Sequence, residues 1–169
     1  APYTILRAAA VSADPVYNGL NPPDVAVTNQ DNDVAGIVMA PTAGLVTTEV
    51  GGTATFTIVL VTQPTAGVTI GLSSSDTTEG TVTPNAVTLT PQNWNTPQTV
   101  TVRGVEDTIV DGDIGYAVVT AAAASADPVY NGLNPPDVAV TNQDNDVAGI
   151  MVNPVTGLVT TEAGGTATF

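Results

Sequence analysis

The segment Ser12–Ile37, SADPVYNGLNPPDVAVTNQDNDVAGI, recurs without a change as Ser125–Ile150, an offset of 113 residues. The match resumes at Gly44–Phe56 and Gly157–Phe169, where Val50 is replaced by Ala163. A period of 113 residues is an ordinary domain size. The boundaries it predicts are residues 1–33 as the last two strands of one repeat, 34–146 as one complete repeat, and 147–169 as the first strands of the next. Near-identity between copies predicts a periodic, extended object in which each repeat meets its neighbours.

Within the complete repeat the pattern is that of short strands. Thr53–Leu60 alternates, with Ala54, Phe56, Ile58 and Leu60 on one face. Val68, Ile70 and Leu72 mark a strand C, Val87 and Leu89 a strand D, and Val100 and Val102 a strand E. Strand A covers 36–39 and resumes at 45–47, strand F runs over 115–120, and strand G over 138–141. Val and Thr dominate, Gly and Pro punctuate, and no long helical pattern occurs. Seven short strands at this spacing predict an all-β, immunoglobulin-like β-sandwich, repeated in tandem. Loop residues around Asp127–Pro136 and Trp94 are expected to pack on the sandwich ends, and Tyr116 to resemble a tyrosine corner.

Charge narrows the partners. Sixteen acidic residues face two basic ones, Arg7 and Arg103, for a net charge of -14. That balance argues against nucleic acid and anionic membrane surfaces, and no apolar run approaches membrane-spanning length. With neither Cys nor His, thiolate and imidazole chemistry are absent, and a convex sandwich with one Trp offers poor material for a carboxylate-based glycosidase. The expectation is a protein that is not an enzyme.

In an up-and-down series, alternate loops fall at the same end of the sandwich, and the acidic residues collect at one of the two. Glu49 lies in the A–B loop, Asp76 and Glu79 in C–D, Glu106, Asp107, Asp111 and Asp113 in E–F, and Asp144 and Asp146 follow strand G. Only Asp127 and Asp137 fall at the other end. Clustered carboxylates raise one another's pKa values and push their loops apart unless a cation intervenes. Hard oxygen donors in this number suit Ca2+ better than Mg2+, which demands stricter geometry, and the lack of His and Cys disfavours zinc and copper.

The E–F stretch Glu106-Asp107-Thr108-Ile109-Val110-Asp111-Gly112-Asp113 resembles the Calx-β family, as do Thr48-Glu49-Val50-Gly51-Gly52 and the strand ending in Asp144-Asn145-Asp146. The resemblance spans the whole repeat. It implies Ca2+ ligands at Glu49, Asp76, Glu106, Asp107, Asp111, Asp144 and Asp146, with the Ile109 carbonyl. By the 113-residue offset, Asp31 and Asp33 are the copies of Asp144 and Asp146, and Glu162 is the copy of Glu49.

These features predict a structural repeat of an extracellular, cell-surface filament or adhesin stalk. Ca2+ at the inter-domain junctions would rigidify it, and its partners would be neighbouring copies of the repeat. The alternatives are a module that recognises a glycan or protein, or a calcium-sensing regulatory domain; near-identical copies argue against a sensor. Whether such an array is covalent or built by strand exchange is open at this point.

Overall fold

A computed structural model describes all 169 residues, which divide into two compact units, Ala1–Val34 and Ala35–Phe169. The first unit is a two-stranded antiparallel hairpin, β1 (Pro2–Ile5) against β2 (Val25–Thr28), with Tyr3 opposite Val27 and Ile5 opposite Val25. Its connection folds on itself, with Ala10 N–H donating to the Leu20 carbonyl and Asn18 N–H to the Asp14 carbonyl.

The second unit is the sandwich. One sheet has the order β3 (Ile37–Ala40), β5 (Thr53–Leu60), β9 (Gln98–Gly104), β7 (Gly80–Thr83). The other runs β6 (Val68–Ser74), β10 (Ile114–Thr120), β12 (Val138–Gln143), β4 (Leu45–Thr48), with β8 (Ala86–Leu89) and the short β11 (Ala124–Ser125) also on β6. All pairs are antiparallel except β12 with β4, which run parallel with Val140 opposite Leu45 and Gln143 opposite Thr48. Inward positions of both sheets form one core that includes Phe56, Ile58, Ile70, Leu89, Val100, Val102 and Val118. The alternation read from the sequence therefore sets which residues are buried.

The sandwich is all-β as predicted, but it has ten strands where the sequence suggested seven. Two predicted strands are each shared between the sheets. Strand A becomes β3 and β4, the chain crossing over at Pro41–Gly44, and the traverse assigned to strand D becomes β7 and β8, crossing at Pro84-Asn85. Each split pair still makes a single pass from one end to the other, so the expected alternation of loops survives. Tyr116 differs from the expected corner, because its hydroxyl meets the Thr47 hydroxyl at 3.2 Å and not a backbone group.

Residues 150–169 are the sequence counterparts of β3 to the middle of β5, yet they hold only an isolated bridge, Thr161 to Gly165. In the sandwich, β5 is paired by β9 along Thr53–Ile58, and residues 150–169 include no counterpart of β9. An unpaired strand has no ladder to hold it. The tight turn survives alone: Gly164 N–H donates to the Thr161 carbonyl at 3.0 Å, as Gly51 N–H does to Thr48 at 3.0 Å.

Candidate metal centre

Strand direction delivers the acidic loops to one end. β5 starts there after Glu49; β6 and β9 end there before Asp76–Glu79 and Val105–Asp113; β12 ends there before Asp144. Two groups of three carboxylates result, Glu49 with Asp144 and Asp146, and Glu79 with Asp107 and Asp111, each with donor oxygens within 4.8 Å of one another.

Glu49 enters the first group from the turn after β4. The parallel pairing carries it to the exit of β12, where its Oε2 accepts the Asn145 N–H at 3.2 Å. It is only 2% exposed. Asp144 is fixed by the E–F loop: its Oδ2 accepts the Gly112 N–H at 2.8 Å, and its own N–H donates to Asp113 Oδ1 at 3.2 Å. Asp146 N–H returns to Asp144 Oδ1 at 2.7 Å. The Oδ2 of Asp146, by contrast, is buried without any hydrogen-bond partner.

The ionisation of these groups records the crowding. The Asn145 N–H is the largest influence on Glu49 and lowers its pKa, but burial and the charges of Asp144, Asp107 and Asp146 together outweigh it and raise the pKa. Burial, followed by the charges of Asp144, Glu106, Asp107 and Asp111, raises the pKa of Asp146. Asp144 goes the other way, because the N–H groups of Asp146 and Gly112 stabilise its anion.

Beneath the rim lies a buried polar layer that the sequence reading did not pick out. Asn142 accepts from Thr47 Oγ1 at 3.0 Å through Oδ1, and its Nδ2 donates to Glu79 Oε2 at 3.3 Å and to the Val105 carbonyl at 3.2 Å. These bonds tie β4 and β12 to the end of the C–D loop and the start of the E–F loop. Burial, against a smaller opposing effect of the Thr47 hydrogen bond, raises the Tyr116 pKa, with the Glu79 charge adding to the rise. The signal for Asn142 was present in the alternation, since it continues the inward series Val138, Val140.

The predicted ligands thus separate. Glu49, Asp107, Asp111, Asp144 and Asp146 fall in the two groups, and Glu79 joins them. Asp76 is exposed and turned to its own loop, accepting from the Thr78 hydroxyl and N–H, which lower its pKa. Glu79 is the buried acid of that loop, and the Thr81-Val82-Thr83 alternation behind it was the sign that a strand would hold it in place. Glu106 is exposed and lines a cleft of about 650 Å³ with Glu49, Gly51 and Arg103. Ile109 N–H donates to Asp107 Oδ1 at 2.7 Å while its side chain faces solvent. In the hairpin unit Asp33 N–H donates to Asp31 Oδ1 at 3.0 Å; Asp31, Asp33 and, in the second unit, Glu162 are all exposed.

At the opposite end the acids have structural duties. Asp127 accepts from Thr65 and Val129 N–H at 2.7 and 2.9 Å, and Asp137 from Thr120 N–H at 2.8 Å. Tyr130 is buried with its hydroxyl on Thr62, and Trp94 packs against the core, both as expected.

No protein-family model matches the sequence, and no curated protein matches it. Among solved structures, the chain is similar to the CBD1 domain of Calx in its apo form, at a TM-score of 0.51 and 12% identity over 68% of this chain and 100% of that one. It is also similar to WR4, an MSP family member of C. elegans (TM-score 0.41, 14% identity, 63% of this chain and 95% of that one). A further match is to domains 4 and 5 of the S-layer protein SbsC (0.39, 20%, 72% and 58%). The first of these supports the immunoglobulin-like sandwich as the fold.

Proposed function

We propose that the chain is a structural β-sandwich repeat of an extracellular, cell-surface filament or adhesin stalk, stiffened by Ca2+ at the end where one repeat hands over to the next. The observation that carries the metal reading is the buried, unpartnered Oδ2 of Asp146 beside Glu49 and Asp144. A buried carboxylate oxygen without a donor is costly, and the all-oxygen donor set around it matches what Ca2+ takes at roughly 2.3–2.6 Å. Glu49, Asp144 and Asp146 would hold one ion, and Glu79, Asp107 and Asp111 a second. The bound cation supplies positive charge that offsets their mutual repulsion. The extended role rests on the repeat, whose copy of Asp144-Asn145-Asp146 precedes the next Val-Ala-Gly-Ile with no intervening linker.

The test is calorimetric titration of Ca2+ into metal-free protein, with thermal unfolding in parallel. Ca2+ at a hundred times its Kd stabilises by about 2.7 kcal/mol, and both Glu49→Gln and Asp146→Asn should weaken binding at least tenfold. Absence of binding heat, with equal Tm in Ca2+ and EGTA, would remove the metal from the reading.

A further inference from the structure

Thr47, Asn142, Glu79 and Tyr116 bring a hydroxyl, a carboxamide, a carboxyl and a phenol together away from water. Thr47 is 0% exposed and Asn142 1%, and Glu79 and Tyr116 are buried with them. The parallel register sets Thr47 directly opposite Asn142, each on the inward face of its strand, in positions that the pair Leu45 and Val140 fills with apolar side chains one step earlier.

The contacts fall in the order that a condensation needs. Thr47 Oγ1 donates to Asn142 Oδ1 at 3.0 Å, which places the hydroxyl oxygen beside the carboxamide, whose carbon is one bond further on. Nδ2, the other substituent of that carbon, donates to Glu79 Oε2 at 3.3 Å. The Tyr116 hydroxyl meets Thr47 Oγ1 at 3.2 Å and lies against Gly80, the residue after Glu79, where a Cβ would overlap it. A Cβ on Gly104 would likewise overlap Asn142 Oδ1, so the carboxamide rests against bare backbone. Groups held together in a reactive geometry reach effective concentrations of about 10⁵ M or more. Burial also excludes the water that would hydrolyse the product.

We propose that Thr47 and Asn142 join in an intramolecular ester. Thr47 Oγ1 swings from Oδ1 to attack Asn142 Cγ. The Oγ1–Cγ bond forms, the Cγ–Nδ2 bond breaks, and the nitrogen leaves as ammonia with the hydroxyl proton. No oxidant, reductant or co-reactant enters, and the escape of ammonia draws the exchange of amide for ester forward. Tyr116 at the hydroxyl and Glu79 at the leaving nitrogen bracket the path of that proton. The chain as it first folds holds the pair hydrogen-bonded, and the ester accumulates from it. It covalently joins β4 to β12, the first and last strands of their sheet in chain order, and it does not rest on the proposed function.

Arg7 and Arg103 are the only basic residues, so trypsin cuts the denatured chain at two places and parts Thr47, in 8–103, from Asn142, in 104–169. Chain refolded and kept at neutral pH in EGTA should yield, on a denaturing gel after trypsin, a growing fraction in which these two fragments stay joined, at a rate independent of protein concentration. The joined species should weigh one ammonia less than the two fragments together, and hydroxylamine should part them. A succinimide at Asn131-Gly132 also sheds ammonia but joins nothing. Thr47→Val and Asn142→Asp should leave the fragments separate, and Thr47→Ser should restore the joined band, with Trp94 fluorescence reporting that each variant is folded. Separate fragments from the wild-type chain after several weeks in EGTA would overturn the ester. So would joining that persists in folded Thr47→Val, or that tandem mass spectrometry places at other residues. Because the assay runs without the ion, failure of Ca2+ to bind leaves the ester standing, and failure of the ester leaves the metal reading to its own titration.

Discussion

Asn142 offers the sharpest test of how the acidic end is supported. It is 1% exposed, and its amide serves three partners: Thr47, Glu79 and the Val105 carbonyl. Asn142→Ala leaves Thr47 with Tyr116 as an alternative partner, but strands the Val105 carbonyl and one oxygen of Glu79. A buried polar group left without a partner costs about 1–3 kcal/mol, so the variant should lose about 3 kcal/mol. For a sandwich of this length that corresponds to a fall in Tm of about 12 °C. Asn142→Asp should be worse in EGTA, since it keeps the acceptor for Thr47 but sets a carboxylate where Nδ2 stood, 3.3 Å from Glu79 Oε2. Trp94 is the only tryptophan and packs on this core, so its fluorescence follows the unfolding of the sandwich alone. A loss under about 0.5 kcal/mol in Asn142→Ala, or Asn142→Asp as stable as Asn142→Ala, would refute the network as a support.

Two further outcomes follow from the same end of the fold. A Cβ on Gly104 would meet the Thr48 carbonyl and Asn142 Oδ1, so Gly104→Ala should cost about 2 kcal/mol, whereas Gly115→Ala meets nothing within 4 Å and should stay near wild type; urea unfolding distinguishes them. In EGTA, the raised pKa values of Glu49 and Asp146 mean that the folded state holds protons more tightly than the unfolded one, whose reference values are 4.5 and 3.8. Their stabilising protonation is complete below those values and is lost as pH rises through the folded-state values, so Tm should climb on acidification from pH 7. Asp127 has the opposite sign: its lowered pKa gives stability that is present above 3.8 and lost as pH falls through its folded value. Calorimetry across pH should therefore show a maximum in EGTA, and Ca2+ should flatten its neutral side.

How far the sequence reached depends on the range of the interaction. Alternation is a local property, and it placed Phe56, Ile58, Val100 and Val102 in the core because successive side chains must point to opposite faces. Loop parity is nearly as robust: splitting a strand between two sheets leaves its direction unchanged, so the acidic end emerged despite the missed β7 and the wrong strand count. What stayed hidden was the choice between acids in one loop. Asp76 is followed two residues on by Thr78, whose hydroxyl and N–H it captures, and this local turn competes with ligation. Glu79 is held inward only because β7 pairs with β9 directly after it and Asn142 reaches it from β12. Neither contact is visible within the loop.

The same division explains why the parallel pair matters. The turns that present the carboxylates are local, and the Thr161–Gly165 copy adopts its turn while exposed to solvent. Convergence of Glu49 on Asp144 and Asp146 is long-range and exists only while β4 lies beside β12. The sandwich begins with β3 at one end and leaves through Asp146 at the other; in the proposed array, tension would load the β4–β12 pair in shear. An ion held as proposed by Glu49, Asp144 and Asp146 would bind the paired state and not the separated one, and its binding free energy would add to the resistance of that pair. The proposed stiffening would then follow from where the carboxylates sit, just after β4 and β12, the first and last strands of their sheet in chain order.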